Sequence, residues 1–368
     1  MKIEIPRDEL VGALGIVGGV VERRQTLPIL ANVLLQAEDA GLRLAATDLE
    51  LGVETRLGSA GVLESGAVTV PARKLMDFCR SLREGSKVML RTERERCVVS
   101  SGRTRFTLSA LPAADFPSMA TEEGMRVLRL PAGELKRLLD KTAFAMAQQD
   151  VRYYLNGVLL EFSDGMLTAV ATDGHRLSRF SVDQVGVDAE SGQQLILPAK
   201  TVSELRRLLS EQDDPVEFFW GERSILVKIG STILSSKLVD GKYPEYQRVI
   251  PKGLPRRAVV ARDSMRTALQ RAAILSNEKY KGVRVSFGAG VVGLQAQNPE
   301  HELAEDELET DYSDEAVTIG FNVAYLMDAL QSMDVEDVEI SFQDADSSSI
   351  WRGVGCESET FVVMPMRL

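Results

Sequence analysis

The sequence predicts an α+β chain in which one domain-sized pattern is written three times, each copy a doubled β-α-β-β-β motif with two helices packed on antiparallel sheets. Two observations carry that prediction. A hairpin recurs at intervals of about 125 residues, ending in Thr-Asp in its first two copies. Each recurrence is followed, at a similar offset, by an extended apolar run that turns into an amphipathic helix.

The hairpin is plainest between Tyr153 and Phe180. Val158 to Phe162 is an apolar run, Ser163-Asp164-Gly165 is a turn, and Met166 to Thr172 is a second run that ends in Thr172-Asp173. Earlier, Asn32 to Gln36 leads through Glu38 to Gly41 into Leu42 to Ala46 and then Thr47-Asp48. Later, Gly282 to Ser286 leads through Gly288-Ala289-Gly290 into Val292 to Ala296. The second marker follows as Val70 to Met76, Leu197 to Val202 and Ile319 to Leu326. In the first two, Pro71 and Pro198 stand at the strand-to-helix boundary, where a missing N–H does no harm.

A chain of 368 residues is too long for one core and divides into three units of roughly 120, expected at 1–125, 126–252 and 253–368, each burying its own core. The N-terminus Met1 to Pro6 has no signal-peptide core, and no apolar run reaches the ~18 residues of a membrane helix. Cys79, Cys97 and Cys356 are odd in number and lack CxxC spacing. A cytoplasmic, reduced protein with no membrane association is the expectation. The net charge of -11 argues against a nucleic-acid partner, but its distribution matters more than its sum.

Taken in order, Arg7-Asp8-Glu9-Leu10 opens a helix with Leu10, Leu14 and Val17 on one face, continued by Val20 and Val21 to the basic turn Glu22 to Gln25. A second helix is expected from Ala72 to Arg83, with Leu75, Met76, Cys79 and Leu82 as its buried stripe and Arg73, Lys74, Arg80 and Arg83 on a basic outer face. Strands Val88 to Arg91, Arg96 to Ser100 and Thr104 to Leu108 follow, and Pro112 to Pro117 reads as a linker. The next helix is expected from Pro131 to Ala147, turning Leu135, Leu138, Leu139 and Phe144 inward and Lys136, Arg137 and Lys141 elsewhere. A further helix from Lys200 to Ser210 repeats the basic excess, and the turn-rich segment Leu238 to Tyr246 matches the earlier linker. The third unit opens near Arg257 with a helix holding Met265, Leu269, Ala272 and Ile274. Acids crowd one later strand and its flanks, from Glu300 and Glu302 through Glu305, Asp306, Glu307 and Glu309 to Asp311. Helices of the first two units therefore lean basic, which suits either a solvated surface or one that follows a phosphate backbone without reading bases.

His175 and His301 are the only histidines, and neither has spacing suited to a metal or a nucleophile, so no catalytic residue, metal or cofactor is expected. Asp173 and His175 could suggest a hydrolase. Yet Thr47-Asp48-Leu49-Glu50 fills the same place without a histidine, so the aspartate is expected to end a strand by bonding its own backbone. A peptide-binding scaffold without a DNA role is the other alternative.

QDVRYYLNG at 149–157, ATDGHRL at 171–177, SKLVDGKYPEY at 236–246, RAAILSNEKYKGVR at 271–284 and VVMPMRL at 362–368 resemble the beta subunit of bacterial DNA polymerase III, the sliding clamp. The likeness runs from TLPIL at 26–30 to the last residue and is loosest between Asp344 and Glu359. It implies the DNA clamp fold, a head-to-tail homodimer closed into a ring around duplex DNA, and a non-catalytic accessory subunit of the polymerase holoenzyme. By the same resemblance, Arg24, Arg73, Gln149, Tyr153 and Tyr154 would contact DNA. A groove would take linear segments of the polymerase alpha subunit, the clamp-loader delta subunit and other polymerases and repair proteins. Its residues would be Leu155, Thr172, Gly174, His175, Arg176, Leu177, Pro244, Arg248, Val249, Asn322, Tyr325, Val362, Met364, Pro365 and Met366. In the dimer, Phe106 and Leu108 would meet Ile274 and Leu275, while Lys74, Arg103 and Arg105 would face Glu300, Glu302 and Glu305.

Overall fold

The computed structural model describes residues 1–21, 27–119, 121–163, 165–183, 192–211, 214–277 and 279–368; the basic turn with Arg24, and the hairpin residue Asp164, lie outside them. Six α-helices stand among the described residues: α1 (Arg7–Gly18), α2 (Ala72–Ser81), α3 (Ala132–Asp140), α4 (Ala199–Leu208), α5 (Arg262–Ile274) and α6 (Val323–Ser332). Each follows directly on a strand, and before α1 and α2 the junction residue is Pro6 or Pro71, with φ near -57° and -56°. The three hairpins form as expected, pairing Asn32–Glu38 with Gly41–Thr47, Gly157–Ser163 with Met166–Thr172, and Gly282–Gly288 with Val291–Gln297.

The chain packs as two compact units, Met1–Lys136 with Ser203–Leu238, and Arg137–Val202 with Val239–Leu368. The first holds a five-stranded sheet whose outermost strands are Gly61–Glu64 and Thr104–Ser109, and an eight-stranded sheet. In the latter, Leu51–Leu57 pairs with Thr232–Lys237, so four strands of the first repeat join four of the second. The second unit has an eight-stranded sheet joined in the same way, by Arg176–Asp183 against Glu359–Val363, and a four-stranded sheet ending in Leu303–Glu309. Sheets therefore run across the repeat junctions rather than closing within each repeat. The physical reason is that an edge strand carries a row of unpaired N–H and C=O groups, and pairing it with the next repeat satisfies them.

Helix faces supply the cores. Leu10, Leu14 and Val17 of α1 are buried, as are Met265, Leu269 and Ala272 of α5, which pack with Leu326 and Leu330 of α6 against the sheet residues Val283, Val285, Ile319 and Phe321. Each of the larger side chains among these contributes about 1.5–3 kcal/mol by leaving water. Several expectations about the helices need correction. Helix α2 stops at Ser81 rather than Arg83, because Leu82 is extended (ψ 155°) and the Ser81 hydroxyl donates to the Phe78 carbonyl at 2.7 Å. Its buried stripe is Ala72, Leu75, Phe78 and Cys79, with Phe78 filling the place given to Met76 and Leu82. Burial raises the thiols of Cys79 and Cys97 to about 12 and about 11.

Helix α3 ends at Asp140, not Ala147, where Thr142 departs from helical geometry (φ -124°) and its hydroxyl donates to the Leu138 carbonyl at 2.7 Å. Lys141, expected on the outside, consequently turns inward and is only 4% exposed. Its ammonium lies 3.1 Å from Glu359 and 3.0 Å from Asp334, and it donates to the Ser332 carbonyl. A buried ammonium of this kind is tolerable only with such partners. No helix among the described residues is long and apolar enough to cross a membrane.

Candidate functional site

The residues expected to line a partner groove lie in the second unit, around the turn that ends the hairpin Gly157–Ser163/Met166–Thr172. Thr172 and Asp173 build that turn. The Thr172 hydroxyl donates to the Arg176 carbonyl at 2.6 Å and accepts from the Gly174 N–H at 3.1 Å, while one Asp173 oxygen accepts from the N–H groups of His175 and Arg176 at 2.9 and 3.1 Å. Asp173 thus acts on its own backbone, as its sequence context predicts. Gly174 takes φ +90°, a left-handed conformation that the four bonds require and that glycine adopts without strain.

The turn delivers Leu177 downward and His175 outward. Leu155, Leu177 and Val362 are buried together with Leu159, Val170, Ile196, Tyr243 and Tyr246 in one apolar cluster. At the rim, the Arg176 guanidinium sits over the Tyr325 ring at 4.5 Å and the Phe144 ring at 5.4 Å, and His175 stacks on Tyr325 with ring centroids 6.5 Å apart. Arg176 is fixed by Asp173 at 3.2 Å, Asp328 at 2.5 Å and the Phe144 carbonyl at 2.6 Å, so its plane is set before anything binds. Burial raises the Tyr243, Tyr246 and Tyr325 phenols above their ordinary value, keeping these rings neutral.

The C-terminal tail is bonded against this turn. After Val362 and Val363 pair with Leu177 and Arg176, the Met364 N–H donates to the His175 carbonyl at 2.9 Å and the Met366 N–H to Gly320 at 2.8 Å. Gly320 has no space for a side chain, since a Cβ there would stand 2.3 Å from the Met366 carbonyl oxygen. Met364 is 41% exposed, leaving a flexible, polarizable group at the surface. Asn322 caps α6, its side-chain oxygen accepting from the Ala324 N–H at 2.9 Å. Pro244, Arg248 and Val249 are exposed on the segment that carries the buried Tyr243 and Tyr246 rings.

Sequence reasoning missed Val170, Ile196, Tyr243 and Tyr246 in the floor and Phe144 and Asp328 beside Arg176. The period-two alternation of the strands could have nominated Val170 and Ile196, which face the side of Leu177; nothing local announces Asp328.

Of the residues proposed for DNA, Arg73 is exposed in the first turn of α2, and among the described residues neither it nor Lys74 has an ion-pair partner. Gln149 is exposed with φ +54°. Tyr153 is 56% exposed, and Tyr154 is half-buried against the groove floor, the two rings meeting edge-on at 5.8 Å. The loop carrying them is braced by Asp150, whose carboxylate is held at about 2 by hydrogen bonds from the Arg152 side chain and backbone. Arg24 lies outside the described residues.

Two outermost strands carry the candidate interface. On Thr104–Ser109, Arg105 is exposed beside Arg103, Phe106 is 48% exposed with its ring 4.5 Å from Phe78, and Leu108 faces inward at 6%. On Leu303–Glu309 the burial alternates, with Leu303, Glu305, Glu307 and Glu309 outward. Glu300 and Glu302 are exposed just before it, and Ile274, the last residue of α5, is 78% exposed beside half-buried Leu275.

Comparison with known proteins agrees over the whole length. Residues 1–120, 129–245 and 247–367 match the N-terminal, central and C-terminal domains of the DNA polymerase III beta subunit. The beta sliding clamps of Pseudomonas putida and Escherichia coli K12 are 46% and 44% identical over 368 residues, covering all of both chains. The crystal structure of the DNA polymerase III subunit beta from Pseudomonas aeruginosa, 46% identical, superimposes with a TM-score of 0.96 over all of both chains.

Proposed function

The chain belongs to the DNA polymerase III beta subunit family, and from that premise we propose that it is a replicative processivity factor: two copies joined head to tail enclose duplex DNA, slide without reading sequence, and tether polymerase, clamp loader and repair proteins through the groove at Thr172–Leu177 and the C-terminal tail. It works in the cytoplasm, divides into domains near 125/126 and 252/253, and performs no chemistry of its own.

One observation carries the reading. Within the chain, the strand after the hairpin of one repeat pairs with the last strand of a neighbouring repeat twice, Leu51–Leu57 with Thr232–Lys237 and Arg176–Asp183 with Glu359–Val363. The same rule leaves over Leu303–Glu309, the corresponding strand of the third repeat, and Thr104–Ser109, the last strand of the first. One is acidic and the other cationic. Pairing them between copies satisfies both edges with opposite charges, and a heterologous contact repeated in this way generates a closed ring when its rotation permits.

Enclosure explains how weak contacts suffice. A few cations such as Arg73 give a sequence-independent attraction that salt weakens, and more would impede sliding. The protein should therefore be retained on a nicked circular duplex and lost once that circle is linearised. The variant Ile274→Asp/Leu275→Asp, monomeric by sedimentation, should be retained on neither. Equal retention of the unmodified protein on circle and line would refute the mechanism.

A further inference from the structure

The repeat that creates the groove also creates a counterpart of it. Strand Thr232–Lys237 lies against Leu51–Leu57 with Ser236 opposite Leu51 and Ser235 opposite Gly52, as Val363 lies opposite Arg176 and Val362 opposite Leu177. The backbone continues alike: the Lys237 N–H donates to the Glu50 carbonyl at 2.9 Å, as that of Met364 does to His175 at 2.9 Å. In this register Gly52 replaces Leu177 and Ser235 replaces Val362, so the two apolar floor residues have become a glycine and a hydroxyl.

The missing side chain is supplied from elsewhere in the chain. A Cβ placed on Gly52 would stand 2.6 Å from the Met119 methyl carbon and 3.4 Å from its sulfur, so the Met119 thioether lies where the Leu177 counterpart would begin. Met119 sits in the segment that follows the first repeat, where Phe116-Pro117-Ser118-Met119 stands in register with Tyr243-Pro244-Glu245-Tyr246 after the second, so Met119 takes the place of the buried Tyr246. The space left over is a half-open cavity of about 140 Å³ lined by Thr47, Leu49, Gly52, Pro117, Met119 and Ser235 among others. That is well below the ~300–1,000 Å³ of ordinary ligand sites. Methionine suits the task, being unbranched and able to fill irregular gaps.

We infer that Met119, seated over Gly52, closes the repeat-related counterpart of the partner groove from within, and that Met119, Gly52 and Ser235 together leave one peptide site per chain. The inference rests on the groove reading above, because it concerns why a duplicated architecture offers that site once.

Two measurements test it. In protein carrying ¹³C-methyl methionine, the Met119 methyl should be shielded from a soluble paramagnetic probe. Gly52→Ala should expose it at little cost in stability, since the atom displaced is the end of a flexible side chain. A Met119 methyl equally exposed in both proteins would overturn the inference. Separately, calorimetric titration with a synthetic peptide copying the polymerase alpha-subunit tail should give one site per chain for the unmodified protein. Met119→Ala/Ser235→Val should give two, the new one at least tenfold weaker, and a variant still binding a single peptide would overturn it equally. Failure of the peptide to bind the unmodified protein would instead strike the groove reading, with the methyl measurement still deciding whether Met119 is seated.

Discussion

The turns Thr47–Leu51 and Thr172–Arg176 share one backbone and differ in almost every other respect. In both, a threonine hydroxyl donates to the carbonyl four residues on, at 3.0 and 2.6 Å, and accepts from the N–H two residues on, at 3.1 Å in each. One aspartate oxygen takes the next two N–H groups, at 3.0 and 2.7 Å for Asp48 and 2.9 and 3.1 Å for Asp173. The residue between is left-handed in both, Leu49 at φ +80° and Gly174 at φ +90°. The scaffold therefore comes from Thr-Asp alone. What differs is the decoration: Leu177 joins a buried apolar cluster and His175 and Arg176 gather on Tyr325, whereas Glu50 forms a surface pair with Lys237 at 2.8 Å and Gly52 yields its space to Met119.

The largest difference is expected at the chain segment that pairs against each turn, Met364 onward at one and Lys237 at the other. Deleting Met364 to Leu368 removes a wall of the second site, and the polymerase-tail peptide should lose more than about 100-fold in affinity, or ~2.7 kcal/mol, by calorimetry. The head-to-tail dimer should survive in sedimentation. Lys237→Ala, the matching change at the first turn, should leave peptide affinity unchanged. A loss from both variants would mean that both seams bind partners.

The aspartates come next. Each anchors two backbone N–H groups, and hydrogen bonds to a carboxylate contribute about 1.5–3 kcal/mol. Asp48→Ala should cost about 2 kcal/mol in urea denaturation. Asp173→Ala should cost about 1 kcal/mol more, because Asp173 also holds Arg176 at 3.2 Å where both side chains are largely buried. Equal costs would show that the Arg176 pairing is idle and that only the shared turn matters.

That shared turn was legible in the sequence because it is written twice, and a Thr-Asp pair acts through bonds to residues two to four positions away. Helix positions were legible for the same reason, since apolar spacing and Pro71 act locally. The end of α3 was not, because a threonine bonded to the carbonyl four residues back occurs within helices as well as at their ends, and the inward turn of Lys141 depends on Glu359, 218 residues away. Joining Leu51–Leu57 to Thr232–Lys237 is also non-local, and no local pattern encodes which distant edge a strand will meet. Within the groove, Leu155, Leu177 and Val362 came from family resemblance, while Tyr243 and Asp328 emerged only when sheet and helix brought them to the same place.

The smallest effect concerns the left-handed residue itself. An L-residue with a side chain pays about 1–2 kcal/mol to adopt this conformation, against about 0.5–1 kcal/mol that glycine loses in backbone freedom. The difference favours glycine, so Leu49→Gly should stabilise the protein by roughly 0.5–1 kcal/mol, visible as a raised urea midpoint with unchanged slope. Gly174→Ala should destabilise it by a similar amount. There the added Cβ also approaches the Arg152 guanidinium at 3.2 Å, an exposed neighbour that donates to the Asp173 carbonyl at 3.3 Å and is otherwise held by Asp150, so it can give way at the cost of that long bond. If Leu49→Gly instead destabilised the protein, the Leu49 side chain, 45% exposed beside Met119 in the cavity wall, would be contributing more by packing than its backbone costs, and the two turns would differ in what stabilises them as well as in what they bind.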